Sequence, residues 1–179
     1  REEEELRRLV KTVEDEVEKL LRRYRDESEK VKRTLEELNK DLERKHKEVL
    51  DRIRDILRKV PLDEEKLRRL DKKLKDLHER NRDEHRKHEK ETRDLDEDSK
   101  RAERETRKKL KEVRDKRRDS DRPREDVERE LEETLRDVAR KIERLLEKNK
   151  RDLDRSKKRV EEMVRRNEKA LKDVEDEIR

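Results

Sequence analysis

Four histidines, His46, His78, His85 and His88, are the side chains of this chain best suited to chemistry near neutral pH. An imidazole can bind a metal, carry a proton or change charge between about pH 5 and 8. His85 and His88 stand three residues apart on one helical face, and His78 lies one heptad before His85. Glu43-x-x-His46 matches half of the di-iron motif of carboxylate bundles, yet that motif needs a second copy and two further Glu on facing helices. Asn81-Arg82-Asp83-Glu84-His85 lacks the first His of an H-x-x-E-H zinc signature. We therefore expect no metal and no cofactor. Without Cys there is no thiolate ligand, thiol nucleophile or disulfide, and without Gly there is no phosphate cradle. Carboxylates and amines are abundant, but no nucleophile is set beside an activating base, so the chain does not read as an enzyme. A pH response is the sharper expectation. If His46, His78 and His85 are buried neutral, their folded pKa values fall below the ordinary 6.5; stability is then present above that value and lost as pH drops through it.

Any such group must be positioned by helices, because an apolar residue recurs every third or fourth position. The first ladder runs Leu6, Val10, Val13, Val17, Leu20, Tyr24, Ser28, Val31, Leu35, Leu38, Leu42, His46, Val49, Ile53, Leu57 and Val60. Its fifteen steps span 54 residues, or 3.6 per step, the period of a straight α-helix with one narrow hidden face. The second ladder passes from Leu67, Leu70 and Leu74 through Leu77 or His78, Asn81, His85, His88, Thr92, Leu95, Ser99, Ala102 and Thr106 to Leu110 and Val113. The third passes from Val127, Leu131 and Leu135 through Asn149, Ser156, Met163 or Val164 and Asn167 to Val174 and Ile178.

Charge constrains the class further. Of 179 residues, 65% are charged and 24% hydrophobic, which fits neither an ordinary globular core nor a membrane span. A random polar chain would stay disordered, but it would not hold a helical period for 50 residues. The 61 Lys and Arg nearly balance 56 Asp and Glu, and no segment has the sustained basic excess that draws phosphate backbones. The exception is residues 107–118, with eight basic side chains against Glu112 and Asp115. A helix C-terminus beside Glu2, Glu3, Glu4 and Glu5 and the acidic start of the next helix accounts for it. We expect no nucleic-acid or membrane partner, and a soluble product compatible with recombinant cytoplasmic expression, whose start at Arg1 suggests trimming.

Two prolines divide the chain into nearly equal thirds. Around Pro61, Asp63 is placed to cap a new helix, with Leu62 and Leu67 at the two positions of a hydrophobic staple. Around Pro123, Ser120 and Asp121 compete as the cap, and Glu125 and Asp126 face the positive end of the helix dipole. The boundaries predict helices at about 2–60, 63–118 and 122–178. Their turns of about four residues make neighbours antiparallel. The expected fold is all-α: a single up-down-up antiparallel three-helix bundle of long, nearly straight helices, with little supercoil.

The polar residues on the ladders can then be paired. Facing positions of helices one and two should total about 123 or 124, and those of helices two and three about 241. Asn39, His85 and Ser156 fall in one layer, His46 meets His78 beside Met163, Thr92 meets Asn149, and Tyr24 approaches Ser99. We read Tyr24, Asn39, His46, His78, His85, Thr92, Ser99, Asn149 and Ser156 as a structural polar network that specifies register. Asn81 and His88 find only apolar residues opposite them. Leu9, Leu21, Leu50, Ile56, Ala139 and Leu145 widen the stripes of helices one and three, either completing the core or seating a partner helix.

The restricted alphabet, the Glu, Lys, Arg and Asp surface, the equal thirds and the helix starts Leu62-Asp63-Glu64-Glu65 and Asp121-Arg122-Pro123-Arg124-Glu125 resemble those of de novo designed three-helix bundles with hydrogen-bond networks. The resemblance covers the whole chain in style. It implies a structural scaffold with no natural activity, expected to be a monomer that requires no partner. The alternatives are a helical interaction module, such as a heterodimer subunit or rod-like coiled coil, or a self-associating chain, and then a His-based pH or metal sensor.

Overall fold

The computed structural model describes residues 2–117 and 122–178. They form an all-α three-helix bundle of α1 (Glu2–Lys59), α2 (Glu64–Arg117) and α3 (Arg124–Ile178). The first connection is built as its residues dictate. The Asp63 carboxylate accepts from the Lys66 amide at 2.8 Å, and its carbonyl accepts from the Leu67 amide at 3.0 Å, so Asp63 is the N-cap. Leu62 packs on an apolar cluster while Leu67 stays 42% exposed, leaving one half of the staple on the surface. At the second connection, the Pro123 carbonyl receives the first amides of α3, from Asp126 at 3.1 Å and Val127 at 3.3 Å. The competing caps Ser120 and Asp121, and Arg118 of the basic run, lie outside the described residues. No described residue has positive φ, which is why these connections can do without glycine.

Contacts divide the chain into two compact units, each built from segments of all three helices. The first joins residues 1–32 to 94–151. Its core is one apolar cluster of twelve buried residues, including Val17, Tyr24, Leu131, Val138 and Ile142, with Leu21 among them and Leu9 and Leu145 packed against it. Burying such a side chain contributes about 1.5–3 kcal/mol, so this cluster dominates the unit's stability. Within the unit α1 runs antiparallel to α2, as the Lys32–Asp96 and Glu18–Arg107 pairs together record, and parallel to α3, as Arg23–Glu143 and Ser28–Asn149 record. Basic residues of the α2 terminus meet Glu14 and Glu18 of α1, through Arg114 and Arg107, and Glu130 of α3, through Lys116. Glu5 pairs instead with Arg124 at 2.6 Å.

The second unit joins residues 33–93 to 152–179. It has two smaller apolar clusters. One gathers Leu50, Ile53, Leu70, Leu74 and Val174, with Ile56 packed against it; the other holds Leu42, Val160 and Met163. Buried His46, Asn81, His88, Ser156 and Asn167 belong to this unit. Of the residues that widen the stripes, only Ala139 falls outside the apolar clusters, and it is half-buried.

The facing pairs Asn39–His85 and Tyr24–Ser99 total 124 and 123. Between α2 and α3 the register differs from the expected 241: Lys141–Glu105 and Lys148–Asp98 in the first unit total 246, and Ser156–Glu91 in the second totals 247. Hairpin arithmetic locates only the midpoint of a connection. The interdigitation of side chains sets the register along the helices, and here it slides α3 by several residues.

Candidate functional site

The side chains with chemical potential lie in the polar layers of the core. In the first unit these layers are closed. Asn149 Nδ2 donates to Ser28 Oγ at 3.2 Å, joining α3 to α1, and Ser99 Oγ donates to the Tyr24 hydroxyl at 3.5 Å, joining α2 to α1. Buried Thr106 turns its hydroxyl onto the Ala102 carbonyl of its own helix at 2.8 Å. Asn149 is thus engaged by Ser28, while Thr92 bonds the His88 carbonyl at 3.0 Å; the two are not joined as the sequence pairing expects. A mid-helix threonine satisfies itself on the preceding turn at almost no entropic cost, which outcompetes a partner on another helix.

All four histidines lie in the second unit, and three of them, His46, His85 and His88, come together there. His85 Nδ1–H donates to Asn39 Oδ1 at 2.7 Å, with Glu43 Oε1 3.7 Å away, so α2 and α1 are linked through one layer. The His46 ring lies edge-on to His85, their centroids 5.5 Å apart. His78 does not meet His46: it is exposed, because adjacent Leu77 takes the inward position and packs on the apolar cluster. Neighbouring residues on a helix point about 100° apart, so only one of the two can face the core. Ser156 is buried in this unit, but its hydroxyl donates to Glu91 Oε2 at 3.0 Å rather than to Asn39 or His85. Arg159 holds the other oxygen of Glu91, forming a Ser156–Glu91–Arg159 clamp between α2 and α3. A charged acceptor makes the stronger hydrogen bond, which explains the choice.

Two histidines are left without a hydrogen bond, His88 having only Glu91 Oε2 at 3.9 Å from its Nδ1. Both ring nitrogens of His46 and both of His88 are buried without a hydrogen bond. Burial, reinforced by nearby His85 and His88, lowers the His46 pKa from 6.5 to about 4. Burial also lowers that of His88; Arg159 and His85 add to the effect, while Glu91 and Glu84 oppose it. Both imidazoles are therefore neutral at pH 7. Unpaired Asn81 Nδ2, Glu84 Oε2 and Asn167 Nδ2 complete the set of orphaned buried atoms among the described residues.

Sequence reasoning missed Glu91, Glu84, Ser28 and Asn167 as members of these layers. Ser28 and Asn167 stand on the ladders, and that position was the available signal. Glu84 and Glu91 flank the stripe of α2 and reach inward on flexible stems, which periodicity does not register. Chemically, the layers can hold helices in place and respond to protons. Among the described residues no three His, Cys, Asp or Glu converge in a way that could hold a metal ion, and no helix is long and apolar enough to cross a membrane. Comparison of the chain with protein-family models, curated proteins and solved structures finds no match.

Proposed function

We propose that this chain is a designed structural scaffold, monomeric and without natural biochemical activity, whose polar core layers specify how its helices pair. The observation that carries the reading is the Asn39–His85 bond at 2.7 Å: two polar side chains from different helices, inside an apolar stripe, satisfying each other. An apolar pair would stabilise the layer more but would not penalise a slipped register. Slippage here strands a half-buried donor and acceptor, each costing at most the about 1–3 kcal/mol of a buried orphan. Ser28–Asn149 and Tyr24–Ser99 extend the same logic to the first unit. Replacing Asn39 and His85 together by Leu tests it. The expected double variant keeps or gains thermal stability but gives several sets of amide resonances, or a mass in solution above 22.4 kDa. One sharp set of resonances at the monomer mass would remove the register role.

A second reading is favoured by the orphaned imidazole nitrogens of His46 and His88. In it the second unit is a proton-responsive element. The groups that act on these rings are Glu84, His85 and Glu91 of α2 and Arg159 of α3, with Glu43 of α1 beside His85. Protonation places a charge where burial and a second imidazole oppose it, so acid should loosen this unit.

A further inference from the structure

An open groove of about 410 Å³ lies between α1 and α2 within the second unit. Leu57, Leu67 and Leu74 supply its apolar lining, and Arg54, Arg58, Arg68 and Asp71 supply the rest. Leu74 is buried in the apolar cluster and Leu57 packs against it, whereas Leu67 is 42% exposed, the one exposed large apolar side chain among the described residues. The three arginines are exposed. Asp71 is the lone carboxylate of the lining, and Lys75 Nζ stands 3.2 Å from it, so its charge is already matched. Arg54 and Arg68 have partners only on their own helices, Asp51 at 3.8 Å and Glu64 at 4.0 Å, in pairs that solvent and salt weaken. Arg58 forms no ion pair among the described residues. The helix dipole favours a cation such as Arg58 in the last turn of α1, but it opposes Arg68 near the positive end of α2.

We propose that this groove is a binding site for a small planar aromatic anion, a sulfonate or carboxylate carried on one or two fused rings. The complete lining selects the charge. Three arginines stand against one carboxylate that already has its own cation, so an anion gains and a cation is repelled. The side-chain type selects the shape: a guanidinium grips an oxyanion with two parallel N–H bonds and stacks on an aromatic face, while the leucines take the ring edge. Size narrows the occupant further. Leu67 and Leu74 are two turns apart, about 10 Å, which suits a two-ring acid rather than a long chain. A partner helix would need apolar anchors over several turns, and Leu67 is a single exposed one. A second copy of this face would set arginine against arginine.

Naphthalene-2-sulfonate, its neutral sulfonamide and the cationic 2-naphthylmethylammonium share one ring system and serve as probes of the intact chain. The methyl resonances of Leu57 and Leu67 report binding, and those of Leu131 in the first unit are the remote control. The sulfonate should shift the Leu57 and Leu67 signals saturably at millimolar concentration, at least tenfold more tightly than either other probe, and leave Leu131 unmoved. Added salt should weaken the sulfonate severalfold and the sulfonamide little. Replacing Arg58→Gln and Arg68→Gln together should weaken the sulfonate at least fivefold without changing the sulfonamide. Leu67→Ser should weaken both. These positions are exposed, so the variants should keep their helicity by circular dichroism. The proposal is overturned by an absence of saturable shifts, by equal affinity for the neutral or cationic probe, or by an unchanged sulfonate affinity in the double arginine variant. Shifts at Leu131 over the same concentration range would also overturn it, because binding would then not belong to this groove.

Discussion

The two units use the same helices and nearly the same alphabet, yet they treat polar core residues in opposite ways. In the first, one continuous apolar cluster surrounds polar groups that are paired: Ser28 with Asn149, Ser99 with Tyr24, Thr106 with its own backbone. In the second, the apolar core is divided into two clusters. All seven orphaned buried side-chain atoms among the described residues belong to that unit, on His46, Asn81, Glu84, His88 and Asn167. All four histidines are there as well. A buried polar group raises specificity when satisfied and lowers stability when it is not. The second unit should therefore open first, with exchange protection below that of the first.

The largest expected effect would invert this ranking. Leu131 is 1% exposed at the heart of the first cluster, and Leu131→Ala should remove about 2–5 kcal/mol through lost transfer energy and a residual cavity. Hydrogen exchange should then find the first unit to be the weaker one. If its protection remains the higher, the apolar cluster does not set the difference between the units.

Acid should widen the contrast. The His46 pKa falls from 6.5 in the unfolded chain to about 4 in the fold, so the neutral ring is what the fold favours. Its contribution is fully present above pH 6.5 and is lost as pH drops toward about 4. Between pH 7.5 and 4.5 the expected loss is about 2–3 kcal/mol, from about 1.4 kcal/mol per unit of pKa difference. The lowered His88 pKa acts in the same direction. His46→Leu should reduce the acid sensitivity of the second unit without changing that of the first. Equal pH dependence in parent and variant, by exchange at matched pH, would remove His46 from the account.

A matched pair of substitutions should give opposite signs. Ser28→Ala orphans buried Asn149 Nδ2 and should cost about 1–3 kcal/mol. Asn167→Leu removes an amide that is already orphaned and should stabilise the second unit by about 1 kcal/mol. Denaturant unfolding of both variants decides this: a shared sign would mean that polar satisfaction does not separate the two units.

The smallest effect belongs to the surface. Arg23 and Glu143 are each 54% exposed, and Lys73 and Glu177 are 50% and 39% exposed. Glu143→Gln in the first unit and Glu177→Gln in the second should each change stability by less than about 1 kcal/mol, and by less again in high salt. A larger loss in either thermal melt would move the source of the difference from the core to the surface charge.

Much of the fold was legible because it rests on local physics. The 3.6 period, Asp63 as a cap, and Pro61 and Pro123 as interruptions each act within one or two turns, and the helices begin and end within two residues of the expected positions. The Asn39–His85 and Tyr24–Ser99 pairs follow from the short first connection, which ties α1 and α2 together by simple counting. Ser28–Asn149 could not be counted, because no connection joins α1 directly to α3. Glu91 gave no periodic signal, and the choice between Leu77 and His78 cannot be made from neighbouring positions on one ladder.

The sequence by itself determined helix, helix length and the inward stripe, because hydrophobic periodicity, capping and proline geometry are properties of short stretches of chain. Tertiary structure decided which polar residues found partners. It slid α3 to a register near 246 to 247, gave Asn149 to Ser28 and Ser156 to Glu91, and left His46, His88, Asn81 and Asn167 with unpaired atoms. Pairing depends on where three helices interdigitate, and a shift of a few residues changes the partner of every polar group while leaving each helix unchanged.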